Sequence, residues 1–345
     1  MKTKNQVTGC FGRLTSGIAI FALAHQMASA EVIVQEVTIQ RGDLDLPGVI
    51  FYDSSITAQK PAVAMLHGCS GMWRNGIPHE LDPVTQQPRV EQYLDKWGRR
   101  LAEAGYIAVA VDSYTVRRPA DRTESAWQNQ CGWKYDQGVS ENTVRPGDAE
   151  AARAWLAARS DVKADKIGLM GWSQGATAAM VAMGATPIDS KTLRTEASTK
   201  PFKGAVAFYP GCGFKYGEDT WAFNGTSYSY WRPYAPVRIN HGSHDQLYDA
   251  AYVKETDTFD RDPLPKIRYH CGIRVDRAKA VYGASKATGN EVTLAVMPDA
   301  HHSFDYPRQT GFPAEPCPEP GHPADVRAEC VYDLESLGFF DALLK

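Results

Sequence analysis

Hydrophobic and polar positions alternate from Val32 to Gln40, as they do in a strand with one face in water, and Gly48 to Tyr52 reads as its antiparallel neighbour across turn-forming residues. The pattern then changes. Pro61 to Leu66, Tyr106 to Val111 and Ile167 to Met170 are short apolar runs, the signature of strands covered on both faces, and Phe202 to Tyr209, Pro236 to Asn240 and Glu291 to Met297 read as further strands. Between them the period lengthens. Val90 to Ala104 puts Tyr93, Leu94, Trp97, Leu101 and Ala104 on one helical face and stops at Gly105. Pro146 to Ala158, Ala176 to Met183, a stretch near Ala278 to Ala287 and Asp325 to Leu344 read as further helices. Strands alternating with helices predict a mostly parallel, doubly wound α/β sheet with helices on both faces, and such sheets bind ligands outside the carboxyl ends of their strands.

Met1 to Ala30 stands apart from this pattern. Lys2, Lys4 and Arg13 precede the apolar run Ile18 to Ala24, and Ala28-Ser29-Ala30 offers a small-residue cleavage site, so a secretory signal peptide is expected over residues 1–30. The run is too short to span a bilayer, so no membrane anchor is expected. No internal repeat, linker or charge block divides residues 31–345, which are read as a single domain. The full sequence carries a net charge of −3, and the leader takes three basic residues and no acidic one with it. A mildly acidic chain without a Lys/Arg cluster argues against nucleic acid or an anionic membrane as partner. Export points to the periplasm or the exterior.

Seven cysteines are present, and Cys10 leaves with the leader. The remaining even set favours disulfides in an exported chain, and none stands at C-x-x-C spacing. Cys317 and Cys330 flank the start of the last helix and are expected to pair. Cys212 with Cys271, and Cys69 with Cys131, are expected to meet at the carboxyl edge of the sheet.

The candidate chemistry sits at strand ends. Gly171-Trp172-Ser173-Gln174-Gly175 falls between an apolar run and a small-residue helix, the setting of a nucleophile elbow, where bulky neighbours would clash as strand and helix cross. A serine needs a base to take its proton, and that base needs a carboxylate to orient it. Asp245 follows one strand in His241-Gly242-Ser243-His244-Asp245, and His302 follows another in Ala300-His301-His302-Ser303-Phe304. Ser173, Asp245 and His302 thus stand in the Ser, Asp, His order of an α/β-hydrolase triad. A metal reading of His241, His244 and Asp245 is the competing one, on His-x-x-His spacing.

With His67-Gly68-Cys69-Ser70-Gly71 added, these motifs resemble the dienelactone hydrolase family of the α/β-hydrolase fold, from about Gly48 to Leu343. In that family the catalytic histidine follows a small residue by two and precedes a phenylalanine by two, which selects His302 over His301. By the same resemblance the oxyanion donors are the backbone N–H groups of Cys69 and Gln174. The chain departs from the family's name-giving enzymes in having a serine where they have a cysteine, so acyl transfer carries over and lactone specificity does not.

Long segments, Met72 to Pro88, Val116 to Arg145, Lys215 to Tyr234, Gln246 to Tyr269 and Pro307 to Pro323, are expected to roof the carboxyl edge. They hold Trp73, Trp127, Trp133, Trp221 and Trp231 with Tyr135, Tyr216, Tyr228 and Tyr230, which reads either as an aromatic-lined cleft for an aromatic, acyl or polyester-like ester or as small cores pinning the loops. The function expected is hydrolysis of a carboxylic ester or lactone through an acyl-enzyme, with no cofactor and no metal. An acyltransferase using the same residues and a binding protein retaining the fold without turnover are the alternatives.

Overall fold

A computed structural model of the chain describes residues 32–131, 138–184, 202–210, 233–245, 292–305, 317–318 and 323–345. The expected leader, the helix near Ala278 to Ala287, and Cys212 and Cys271 lie outside the described residues.

Eight strands form one sheet in the spatial order β1-β2-β4-β3-β5-β6-β7-β8, where β1 is Val32–Arg41, β2 Leu44–Asp53, β3 Lys60–Leu66, β4 Ile107–Val111, β5 Val162–Trp172, β6 Ala205–Phe208, β7 Val237–His244 and β8 Val292–His301. The opening hairpin is antiparallel, and β2 pairs antiparallel with β4; every pairing from β4 across to β8 is parallel. The strands β3, β4 and β6 are buried at every residue, as their apolar sequences require from Pro61 on, and Lys60 at the start of β3 is buried with them, its ammonium donating to Asp53 O at 2.9 Å.

Helices cover both faces. On one side lie α3 (Arg145–Ala157) and α4 (Gln174–Ala182), whose Ala149, Ala152, Leu156 and Ala176 to Ala182 pack with Leu66, Val109, Leu169 and Ile239 of the sheet. On the other lie α1 (Gln92–Glu103) and α5 (Ala324–Leu344), with Leu94, Trp97, Tyr332 and Phe340 against Val63, Met65, Met170 and Val206. A short α2 (Glu124–Gln128) belongs to the loops above the sheet. The predicted face of α1 is the one buried: Leu94, Trp97 and Leu101 are wholly inaccessible, each contributing on the order of 1.5–3 kcal/mol of transfer free energy. The helix ends where the sequence puts Gly105. That residue has φ +86°, its N–H bonds Ala102 O at 2.9 Å, and the Tyr106 N–H bonds Leu101 O at 2.9 Å, a Schellman closure that satisfies two terminal carbonyls.

The alternation also has an exception. Lys96 lies in the buried part of α1, because Glu329 and Asp333 of α5 meet its ammonium at 2.9 and 2.8 Å. Among the described residues no helix is long and apolar enough to cross a membrane.

Candidate active site

The parallel register aligns the carboxyl ends of β3, β5 and β6, with Leu66 opposite Gly171 and Trp172 opposite Phe208, so the loops that follow them open at one edge. Ser173 leaves β5 there and serves as N-cap of α4 with φ 51° and ψ −117°, a conformation costly for a side chain with a Cβ. Its backbone is held on both sides: the Ser173 N–H bonds Phe208 O at 2.9 Å, and its carbonyl accepts the Thr177 N–H at 3.0 Å. The two flanking glycines are steric requirements. A Cβ on Gly171 would sit 2.3 Å from Gly175 O, and one on Gly175 would sit 2.3 Å from both Leu66 O and His67 O. The G-x-S-x-G spacing thus lets β5, α4 and the loop after β3 pass within backbone contact.

His302 follows β8 and Asp245 follows β7. His302 Nε2 lies 3.0 Å from Ser173 Oγ, and His302 Nδ1 lies 2.8 Å from Asp245 Oδ2. A carboxylate only accepts, so Nδ1 carries the proton and Nε2 is free to accept from the serine hydroxyl. Asp245 is wholly buried. This arrangement can move the serine proton to the imidazole while the carboxylate stabilises the resulting cation.

His301 is separate from this chain of contacts. Its backbone N–H bonds Asp325 at 2.7 Å, its Nδ1 faces the same carboxylate at 3.3 Å, and its side chain is 56% exposed. The two histidines of the alternative metal reading, His241 and His244, sit in different surroundings. β7 continues through His244, with an irregularity in its pairing to β8 between Gly242 and His244. His241 is buried with Nε2 3.2 Å from Pro210 O, whereas His244 is exposed and faces Asp299 at 3.5 Å. Burial holds the His241 imidazole below its usual pKa, against the pull of Asp245 3.5 Å away.

The loop after β3 is fixed at several points. The Gly68 N–H bonds the Tyr93 hydroxyl at 2.8 Å, and the Cys69 carbonyl accepts the Gln130 N–H at 2.8 Å. Cys69 is disulfide-bonded to Cys131, as expected, and Cys317 to Cys330. Among the described residues nothing accepts the Cys69 N–H. The Gln174 N–H, in the first turn of α4, has no acceptor within its helix and lies at the positive end of the helix dipole. His67 bonds to its own loop and to the one after β4: the Ser113 N–H donates to Nε2 at 3.2 Å, so Nδ1 bears the proton and donates to Gly68 O at 2.7 Å. Burial and the nearby Arg145 guanidinium push its pKa well down, so it is a neutral structural imidazole.

Several residues that support the site carry no signal in the sequence. Arg145 is wholly buried and bonds both the Gln174 side chain at 3.0 Å and the His67 carbonyl, tying α4 to the loop after β3. The Tyr114 hydroxyl also bonds Gln174. Asp305 accepts from Trp172 Nε1 and from the Tyr209 hydroxyl, and the Tyr209 and His302 rings meet in a T-shaped arrangement with centroids 4.6 Å apart.

Of the two readings of the loop aromatics, Trp73 and Trp127 take the second. Trp73 is wholly buried with its Nε1 donating to Asp112 at 2.7 Å, and Trp127 is buried with its Nε1 donating to Tyr114 O at 2.7 Å. Both pin loops instead of lining a cleft, because each indole finds an apolar bed and a buried acceptor. The other aromatic residues named for the cleft, Trp133, Tyr135, Tyr216, Trp221, Tyr228, Tyr230 and Trp231, lie outside the described residues.

Comparison with solved structures gives the same fold. A dienelactone hydrolase-like promiscuous phosphotriesterase from metagenomic libraries matches with a TM-score of 0.54 at 17% identity, over 92% of this chain and 100% of that one. A candidate dienelactone hydrolase from Klebsiella pneumoniae gives 0.52 at 16% identity, over 90% and 99%. A butyrate-bound thermophilic esterase from Thermogutta terrifontis gives 0.51 at 16% identity, over 92% and 95%. A search of curated protein sequences returned no match. The dienelactone hydrolase family model matches residues 90–262, half of the chain, a stretch that includes Ser173 and Asp245. The sheet of mainly parallel strands flanked by helices is that of the α/β-hydrolases, and the chain belongs to the dienelactone hydrolase family.

Proposed function

We propose that this chain is an exported serine hydrolase that cleaves small-molecule carboxylic esters through an acyl-enzyme, with Ser173 as nucleophile, His302 as general base and acid, and Asp245 as the carboxylate that orients it. The observation that carries the reading is the unbroken line of contacts from Ser173 Oγ to His302 Nε2 at 3.0 Å and from His302 Nδ1 to Asp245 at 2.8 Å.

In the first half-reaction His302 Nε2 takes the hydroxyl proton as Ser173 Oγ attacks the ester carbonyl, and the carbonyl oxygen becomes an oxyanion. The N–H groups of Cys69 and Gln174 are the donors for that oxyanion. Collapse of the intermediate expels the alcohol, which takes the proton back from His302 and leaves an ester on Ser173. Water then repeats the sequence in the second half-reaction, with His302 again as base, and frees the acid and the serine. Every bond change is acyl or proton transfer, so the cycle balances without an oxidant or reductant.

Export is part of the proposal. The leader ending at Ala30 carries the chain out of the cytoplasm, residues 31–345 fold as one domain, and the two disulfides suit an oxidising compartment. The test is a panel of esters of graded acyl length, assayed with the mature protein and with Ser173→Ala. Turnover of at least one ester that disappears in a folded Ser173→Ala variant supports the reading, and undiminished turnover in that variant overturns it.

A further inference from the structure

Asp305 is wholly buried three residues beyond His302, and each of its carboxylate oxygens meets one donor: Oδ2 accepts from Trp172 Nε1 at 2.6 Å and Oδ1 from the Tyr209 hydroxyl at 2.5 Å. The two donors adjoin the reacting groups. Trp172 precedes Ser173, with its indole stacked on Phe208 at 5.6 Å between centroids and 5° between planes, and the Tyr209 ring packs T-shaped with the His302 imidazole, centroids 4.6 Å apart. One carboxylate on the His302 loop therefore holds the residue before the nucleophile and the ring against the base.

The backbone at this junction is strained. Ser173, Tyr209 and Ser303 have φ of 51°, 39° and 58°, in the left-handed region that residues other than glycine seldom occupy. Such conformations cost on the order of 1–3 kcal/mol each and persist only where the surroundings over-determine them. Asp305 is placed to do this for all three segments, since it bonds residues next to or within two of them and belongs to the third. Its own burial raises the carboxyl pKa, opposed by the Lys96 ammonium and by the two hydrogen bonds. Burying a carboxylate is unfavourable compared with apolar packing unless its donors are well placed, so a site that needed only adhesion between loops gains nothing from one.

We infer that Asp305 is a positioning residue for the hydrolytic step, fixing Ser173 and His302 relative to each other through Trp172 and Tyr209. The inference rests on the proposed roles of Ser173 and His302. Three variants of the mature chain test it, with kcat and KM measured on the best ester of the panel at a temperature where each variant is folded. Asp305→Ala is expected to lower kcat by about ten- to a hundredfold with KM within about threefold, the signature of lost orientation without lost binding. Asp305→Asn is expected to restore kcat to within about fivefold of the parent, because a carboxamide can accept from the indole and donate to the tyrosine oxygen. Tyr209→Phe, which keeps the ring and loses the hydroxyl, is expected to lower kcat by about three- to tenfold. Parent-like kcat in folded Asp305→Ala overturns the inference, and so does an Asp305→Asn variant as impaired as Asp305→Ala. If Asp305→Ala does not fold, parent-like kcat in Tyr209→Phe overturns it. Ser173→Ala is run alongside: activity surviving there refutes the serine mechanism itself and leaves the two failures distinguishable.

Discussion

His301 and His302 are adjacent in the chain and answer to different carboxylates: His302 Nδ1 lies 2.8 Å from the buried Asp245, while His301 turns outward to Asp325 at 3.3 Å. Only His302 reaches Ser173. His302→Ala should therefore lower kcat by about a thousandfold or more, as loss of a triad base does, and His301→Ala should change it by less than about fivefold. Steady-state kinetics of the two variants decide between the rings, and the reverse order would remove His302 from the proposed mechanism.

Much of the frame is visible in the sequence because it depends on neighbours within one element. The face of α1 follows from the spacing of Tyr93, Leu94, Trp97 and Leu101, and β3 and β4 from unbroken apolar runs. Gly171 and Gly175 stand out because their spacing around a serine has a local steric reason. What the pattern misses depends on partners far away in the chain. Lys96 belongs to a helix whose periodicity is legible, yet it is buried because two carboxylates of α5 meet it there. Arg145 looks like an ordinary helix start, and its bonds to Gln174 and His67 exist only once three segments converge. Trp73 illustrates the same point from the opposite side. A loop indole can line a cleft or pin a loop, and the choice was made by Asp112, which no local spacing connects to it.

The disulfide at Cys69 couples stability to the proposed oxyanion site. In the chain-entropy model the Cys69–Cys131 and Cys317–Cys330 links, with separations of 62 and 13 residues, constrain the unfolded state. Their contributions are about 4 and about 3 kcal/mol, so reduction should lower the melting temperature by more than about 5 °C. Cys131→Ser should do more than destabilise. At a temperature where it remains folded, kcat should fall by about ten- to a hundredfold, less than outright loss of an oxyanion donor, with KM little changed. Calorimetry and kinetics on the same preparation test both halves. A variant with lowered melting temperature and parent kcat would confine the disulfide to stability.

A pH dependence is expected where Lys96, Glu329 and Asp333 meet. Burial, opposed by Lys96, pushes the Asp333 carboxyl up from 3.8 to about 7. The folded state thus keeps a proton that the unfolded chain has released, so this group's contribution to stability is full below the unfolded value and is lost as pH rises through about 7. Asp333→Asn cannot titrate. Urea unfolding at pH 5 and pH 8 should accordingly show the parent's stability, measured relative to Asp333→Asn, falling as pH rises. A difference that grows with pH would contradict the assignment.

An activated serine is the central claim, and a fluorophosphonate probe reacts with little else. Labelling the folded mature chain and mapping the adduct by peptide mass spectrometry should find a single modification, on Ser173, and no labelling in His302→Ala. An unmodified Ser173 in a preparation that turns over esters would contradict the account.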